Sequence, residues 1–178
     1  GSPVVVFYHG GAWTRGDKAN ESHLAPALVA AGAAVVSVNF TLAPKASLDR
    51  IVDQSRRALA WAHAHAADMN RLIAAGHSSG AHQAAMMAVT DWTTPGEAWG
   101  GLPADTVKGA VITSGIYELT PPRLSYRNGY LNLDDGAVAR NSPIRHLRPG
   151  LPPVDLFYGD GELAEFRRQG RDFARALR

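Results

Sequence analysis

Apolar residues gather in five short runs along this chain: Val4–Tyr8, Ala34–Asn39, Leu72–Ala75, Val107–Thr113 and Val154–Tyr158. Each run is almost continuously hydrophobic and is bounded by Gly, Pro or Asn. Runs without polar alternation suit strands of a parallel sheet covered on both faces. Between them lie stretches with helical spacing: Ser22–Ala31, Ser47–Ala67, Ser79–Val89 and Leu163–Arg178. In the second, Ile51, Val52, Ser55, Leu59 and Ala62 fall near one stripe, with Arg50, Gln54, Arg57 and His65 elsewhere. Strand–helix alternation with right-handed crossovers predicts an α/β fold, a doubly wound and mostly parallel sheet flanked by helices. Reactive groups in such sheets collect at the carboxyl ends of the strands. His9, Ser78, Ser114 and Gly159 all follow predicted strands and so converge on one edge.

Two stretches interrupt the alternation. Asp91–Asp105 holds two Trp, two Pro and three Gly, which predicts a long loop. Residues 115–153 are rich in Pro, Asn, Asp and Arg, contain Tyr117, Tyr126 and Tyr130, and include a short predicted helix near Ala137–Asn141. A connection this long inside a compact domain is usually functional, so a lid or substrate-facing insertion is expected, with an ordinary surface connection as the alternative. The 178 residues suit a single domain, 1–178. Gly1-Ser2 lead straight into a predicted strand, and the last helical pattern is cut at Arg178. A domain trimmed at both ends is therefore expected.

The chemistry centres on Gly76-His77-Ser78-Ser79-Gly80. It reads G-x-S-x-G between an apolar strand and an alanine-rich helix. In that setting small flanking residues permit a sharp turn that lifts a serine hydroxyl out of the sheet edge. The helix start beneath adds unpaired N–H groups and partial positive charge. Ser78 is the candidate nucleophile. A second motif, His9-Gly10-Gly11-Ala12-Trp13, follows the first strand. Bare glycine backbone there can present N–H groups to an oxyanion, so Gly10 and Gly11, with the amide of Ser79, are candidate oxyanion donors. His9 precedes the turn and is expected to brace it rather than act as a base.

A serine nucleophile needs a base and a carboxylate to orient that base. Tyr158-Gly159-Asp160-Gly161-Glu162 follows the last strand and offers two carboxylates. Glu162, beyond the glycine turn, is favoured and Asp160 is the runner-up; both could instead be acids at a helix start. The base should follow the acid in the order Ser, acid, His. The seven histidines are His9, His23, His63, His65, His77, His82 and His146, and none follows Glu162. His146 lies in the wrong order, His77 sits inside the turn, His82 is expected to pack, and His63 and His65 face different sides of a helix. The base is read as missing from these residues.

Composition narrows the classes without adding chemistry. Hydrophobic residues make up 46% and charged residues 19% of the chain, as in a globular domain. A net charge of +2 gives no argument for nucleic acid or an anionic membrane. There is no cysteine, which excludes disulfides, thiolate catalysis and cysteine metal sites. No targeting signal or membrane span is legible, so the cytoplasm is the default expectation.

With those residues in hand, the sequence resembles the α/β-hydrolase superfamily, and within it the kynurenine formamidase (arylformamidase) and esterase/lipase-like group. His9-Gly10-Gly11-Ala12-Trp13 matches that group's H-G-G-x-W, and Gly76-His77-Ser78-Ser79-Gly80-Ala81-His82 is close to G-H-S-A-G-A-H. Ser114-Gly115-Ile116-Tyr117-Glu118-Leu119, Asn141-Ser142-Pro143 and the segment from Gly159 to Gln169 are similar to later segments. The departures are Ser79 where Ala is frequent, Glu118 where Asp is frequent, and the missing histidine. The resemblance implies strands before Val4, and a final strand with an N-H-F-like histidine segment after Arg178. It carries over Ser78 as nucleophile, Gly10, Gly11 and Ser79 as oxyanion donors and Glu162 as acid, with Trp13 and Tyr117 at the substrate. It implies hydrolysis of a small ester or formamide, most specifically N-formylkynurenine to kynurenine and formate, with no metal and no cofactor. A general carboxylesterase and a non-catalytic hydrolase-like binding protein are the alternatives. Little or no turnover is expected of these 178 residues alone. The expected partner is the small-molecule substrate, without nucleic acid or membrane; a homodimer stays open.

Overall fold

The computed structural model describes residues 1–65 and 68–178. Five parallel strands form one sheet: β1 (Val4–Tyr8), β2 (Ala34–Val38), β3 (Leu72–His77), β4 (Gly109–Thr113) and β5 (Val154–Phe157), in the order β2-β1-β3-β4-β5. The helices are α1 (Ala25–Ala30), α2 (Leu48–His65), α3 (Ser79–Val89), α4 (Thr120–Arg123), α5 (Asn128–Leu131), α6 (Asp135–Asn141) and α7 (Ala164–Ala176). All five predicted strands form, within one or two residues at each end. The third runs on through Gly76 and His77, because both pair with β4. The predicted helix Ser22–Ala31 divides into a 3-10 turn at Ser22–Leu24 and α1, with Pro26 in the first turn, where its missing N–H costs nothing. The predicted helix over Ser47–Ala67 is seen as Leu48–His65; its last two residues lie outside the described residues.

The two faces of the sheet differ. Val4, Val6 and Tyr8 of β1, Leu72 and Ala74 of β3, and Ala110 and Ile112 of β4 share one face and are buried. On that face lie α2, whose buried stripe is Leu48, Ile51, Val52, Ser55, Leu59 and Ala62, and α3, buried at every position. Tyr8 reaches across to donate its hydroxyl to the Ser55 carbonyl, and burial pushes the phenol pKa up. The opposite face is more open than the sequence suggests: Val111 and Phe157 are exposed, and Val5 and Ile73 are half-buried. The right-handed crossover rule places α1 there, against β2.

Segment 115–153 is mostly packed structure. Ile116, Leu119, Leu131, Leu133 and Val138 join the core, and α6 lies against α2. The segment's exposed large apolar side chains are Leu124 and Tyr126. The Asp91–Asp105 loop folds over its own pair of tryptophans, with Trp92 edge-on to Trp99 and the Arg56 guanidinium over Trp99.

Close approach of α3 to the sheet is the tightest feature of the fold. A Cβ built on Gly80 would lie 2.0 Å from the Tyr8 carbonyl oxygen, and one on Gly76 would lie 2.2 Å from the Gly80 carbonyl oxygen. Gly80→Ala should therefore cost about 3 kcal/mol or more through forced separation of helix and strand. Gly129→Ala, at a position with open space around it, should be nearly neutral. Urea unfolding of the two variants checks the contrast.

Candidate active site

The order β2-β1-β3 places a topological switch point between β1 and β3, where connections leave the sheet in opposite directions. Ligands of open α/β sheets bind in the crevice beyond the strand ends there. The two motifs singled out in the sequence sit on either side of it. β3 ends at His77, and Ser78 takes φ 57° and ψ −121° before α3 begins at Ser79. A positive φ at a non-glycine residue costs on the order of 1–3 kcal/mol and persists only where its surroundings enforce it. Here Gly76 and Gly80 let the chain fold back on itself. The turn is then pinned by Ser78 N–H to Thr113 O at 2.9 Å and by His82 N–H to Ser78 O at 3.2 Å.

Gly10 passes hard against this turn. A Cβ on Gly10 would stand 3.1 Å from the His77 carbonyl oxygen and 3.4 Å from Ser78 Cβ. Gly11 has φ 114°, and a Cβ there would collide with the Arg15 carbonyl. Ala12 and Trp13 follow with φ of 55° and 61°. The loop is closed by Thr14 and Arg15 amides donating to Gly11 O, and it is tied to α3 by Trp13 N–H donating to Ser79 Oγ at 3.3 Å. The amides of Gly10, Gly11 and Ser79 have no acceptor among the described residues. His9 is buried, stacks on Phe40 at 4.5 Å and places Nδ1 2.7 Å from Gly10 O. It braces the turn.

Across the crevice stands Glu162. Its Oε1 accepts from Ser114 Oγ at 2.5 Å and from Gly159 N–H at 2.9 Å, while its Oε2 is buried without a partner among the described residues. Ser78, Ser114, Glu162, Leu163 and Phe166 line one open cavity of about 410 Å³, with the exposed His77 at its rim. Asp160 is exposed and does not line it. Ser114 itself has φ 55°, a second non-glycine residue in the left-handed region at a strand end. The sequence placed Ser114 at this edge but gave it no task; its signals are a serine before a glycine directly after an apolar strand and its place at the head of a segment similar to the resembled group.

Trp13 and Tyr117 do not stand where the resemblance puts them. Trp13 is fully buried, edge-on to His82 at 5.2 Å, because the strained turn drives its ring inward. Tyr117 is buried and stacks on Phe173 of α7 at 4.4 Å, anchored by its amide donating to Gln169 Oε1. Both are core residues beneath the cavity rather than its lining.

No hydrogen bond joins a histidine to Ser78 Oγ among the described residues. His146 hydrogen-bonds backbone carbonyls of Ala139 and Arg140. His82 is buried, donates from Nε2 to Asn141 O at 2.7 Å, and has Nδ1 without a partner among the described residues.

This crevice, between a strained serine turn and a glycine loop on a 2-1-3-4-5 parallel sheet, is that of the α/β-hydrolase fold. The chain belongs to the BD-FAE family, whose model matches residues 1–115. A kynurenine formamidase from Danio rerio is 34% identical over 180 residues, covering 98% of this chain and 59% of the relative. The esterase LipQ of Mycobacterium tuberculosis is 29% identical over 195 residues, covering 99% and 46%. Among solved structures, a putative thioesterase from Silicibacter sp. superposes with a TM-score of 0.85 at 26% identity, over 99% of this chain and 65% of that one. An esterase from Pyrobaculum calidifontis gives 0.82 at 24% identity, over 99% and 63%, and shares the fold. The chain thus spans about three-fifths of the length of the formamidase it matches. Among the described residues no helix is long and apolar enough to cross a membrane.

Burial lowers the His82 pKa to about 4; the Asn141 carbonyl opposes the shift, and the Arg56 charge adds to it. Between pH 6.5 and 4 the unfolded chain accepts a proton that the native site refuses. Stability is therefore full above pH 6.5 and is lost by about 3 kcal/mol across that window. The ring resonances of native His82 should not titrate above about pH 5. Acid unfolding of His82→Gln should be flatter than wild type between pH 6.5 and 4.

Proposed function

We propose that the protein is a serine hydrolase acting on small esters or amides through an acyl-enzyme, with N-formyl arylamines such as N-formylkynurenine as the preferred class. The observation that carries this reading is the pairing of Ser78, on its strained turn, with the unpartnered Oε2 of Glu162 across one cavity. A carboxylate with one oxygen held by Ser114 and Gly159 has a single orientation, and its free oxygen suits an imidazole N–H. A histidine seated between Glu162 and Ser78 would take the Ser78 proton as Oγ attacks the carbonyl carbon. It would return that proton to the leaving amine or alcohol, and water would then cleave the acyl-enzyme. The amides of Gly10, Gly11 and Ser79 would receive the negative charge on the carbonyl oxygen, each such donor being worth on the order of 10²–10³ in rate. No histidine follows Glu162 in the sequence. The base is sought in the part of the relatives that this chain does not span. The name of the Danio rerio relative supports the formamide preference. The esterase relatives support a second reading, a general carboxylesterase on the same site.

A fluorophosphonate probe tests the nucleophile. A protein that includes a histidine segment beyond residue 178 should label, and Ser78→Ala should abolish labelling and lower turnover by on the order of 10⁴ or more. The 178 residues alone should turn over little or no substrate. Absence of labelling in the longer protein would leave a hydrolase-like binding protein. Comparing an aryl formamide with a p-nitrophenyl ester separates the two enzyme readings: esters cleaved with the formamide inert would exclude the formamidase.

A further inference from the structure

Beside the Ser78 cavity lies a second hollow of about 310 Å³, between residues 121–127 and the start of α7. Its walls are mainly apolar: Ile116, Pro121, Pro122, Tyr126, Leu163 and Phe166. Leu163 and Phe166 also line the cavity of Ser78 and Glu162, so the two hollows are neighbours with a shared wall. Tyr126 and Leu163 are strongly exposed, at 80% and 73%, which leaves the groove open for a solute to enter.

The charges around this groove are unequal in their commitments. Glu165, on its lip, is held by the Arg168 guanidinium through two bonds of 2.8 and 2.6 Å and accepts a third from Gln169. Arg123 pairs with Asp135, and Arg145 with Glu118. Arg127 lines the groove with no carboxylate partner among the described residues. Its Nη1 donates only to the Tyr130 hydroxyl, at 3.0 Å, and its guanidinium lies 5.3 Å over the Tyr126 ring. An arginine whose fork is mostly unspent, at the edge of an apolar hollow, is complementary to a planar anion attached to an apolar body.

We propose that this groove is a substrate subsite and that Arg127 selects esters or amides carrying a carboxylate at the far end of an apolar arm. The carbonyl sits at Ser78, the arm crosses Leu163 and Phe166, and the carboxylate meets Arg127. This rests on the serine-hydrolase reading above. Arg127 is a specificity residue: it contributes to binding of the anionic end and leaves the chemistry at Ser78 unchanged.

Binding of 4-phenylbutyrate and of 4-phenylbutan-1-ol, followed by calorimetry and by amide shifts, tests the groove without requiring turnover. Wild type should prefer the acid by about tenfold, as one charge-assisted contact provides. Arg127→Gln should erase that preference, with the alcohol bound as before, and Arg171→Gln, at an exposed position of α7 outside the groove lining, should keep it. Equal binding of acid and alcohol to wild type, or a preference that survives Arg127→Gln, would overturn the proposal. In the longer, labelling-competent protein, 4-phenylbutyrate should slow fluorophosphonate labelling of Ser78, and Arg127→Gln should relieve that protection. Arg127-dependent binding without protection would overturn the groove's role as a subsite while the nucleophile stands. Failure to label at all would instead overturn the serine reading, with the binding comparison still reporting on Arg127.

Discussion

Contact between the first turn of α3 and the end of β1 is the constraint on which the rest depends. With no side chain at Gly80, the helix start comes up against the carbonyls of Tyr8 and His9. The chain leaving β3 then has no room for an ordinary extended residue, and Ser78 takes up the reversal in a left-handed conformation. The same contact brings the Gly10 backbone against Ser78. Nucleophile position and glycine loop are thus two results of one steric condition. Ser79 reinforces it, since its hydroxyl accepts the Trp13 amide and fastens the loop to the helix.

Opposition across the crevice follows from strand order. Because β3 and β4 are neighbours, Ser78 and Ser114 emerge side by side, and Ser78 N–H bonds directly to the last residue of β4. The turn after β5 then needs only to fold back one strand for Glu162 to meet Ser114. The carboxylate is held in place by hydrogen bonds from Ser114 and Gly159 to one oxygen. Its other oxygen has no partner among the described residues.

Much of this was legible in the sequence because it rests on local signals. Continuous apolar runs marked all five strands, and the glycine spacing of residues 76–80 marked the turn, since only small residues tolerate such proximity. The burial of Trp13 and Tyr117 is not legible, for a different reason. An aromatic beside a motif looks the same whether it faces the ligand or the core. The direction of Trp13 depends on two successive left-handed residues, and that of Tyr117 on its stacking against Phe173, 56 residues further along the chain. Ser114 was underrated because its importance lies in a contact with Glu162 across 48 positions. The half-open sheet face was likewise illegible, since strand hydrophobicity does not reveal which helices arrive to cover it.

The glycines that seat α3 also limit how the site can drift. A Cβ at Gly76 or Gly80 would lie within 2.2 Å of a backbone carbonyl oxygen, which has no flexible side chain to give way. Any side chain there must displace the helix start, and with it Ser78 and the Ser79 amide. Stability and the geometry of the crevice therefore fail together at these two positions, so neither can be traded for the other.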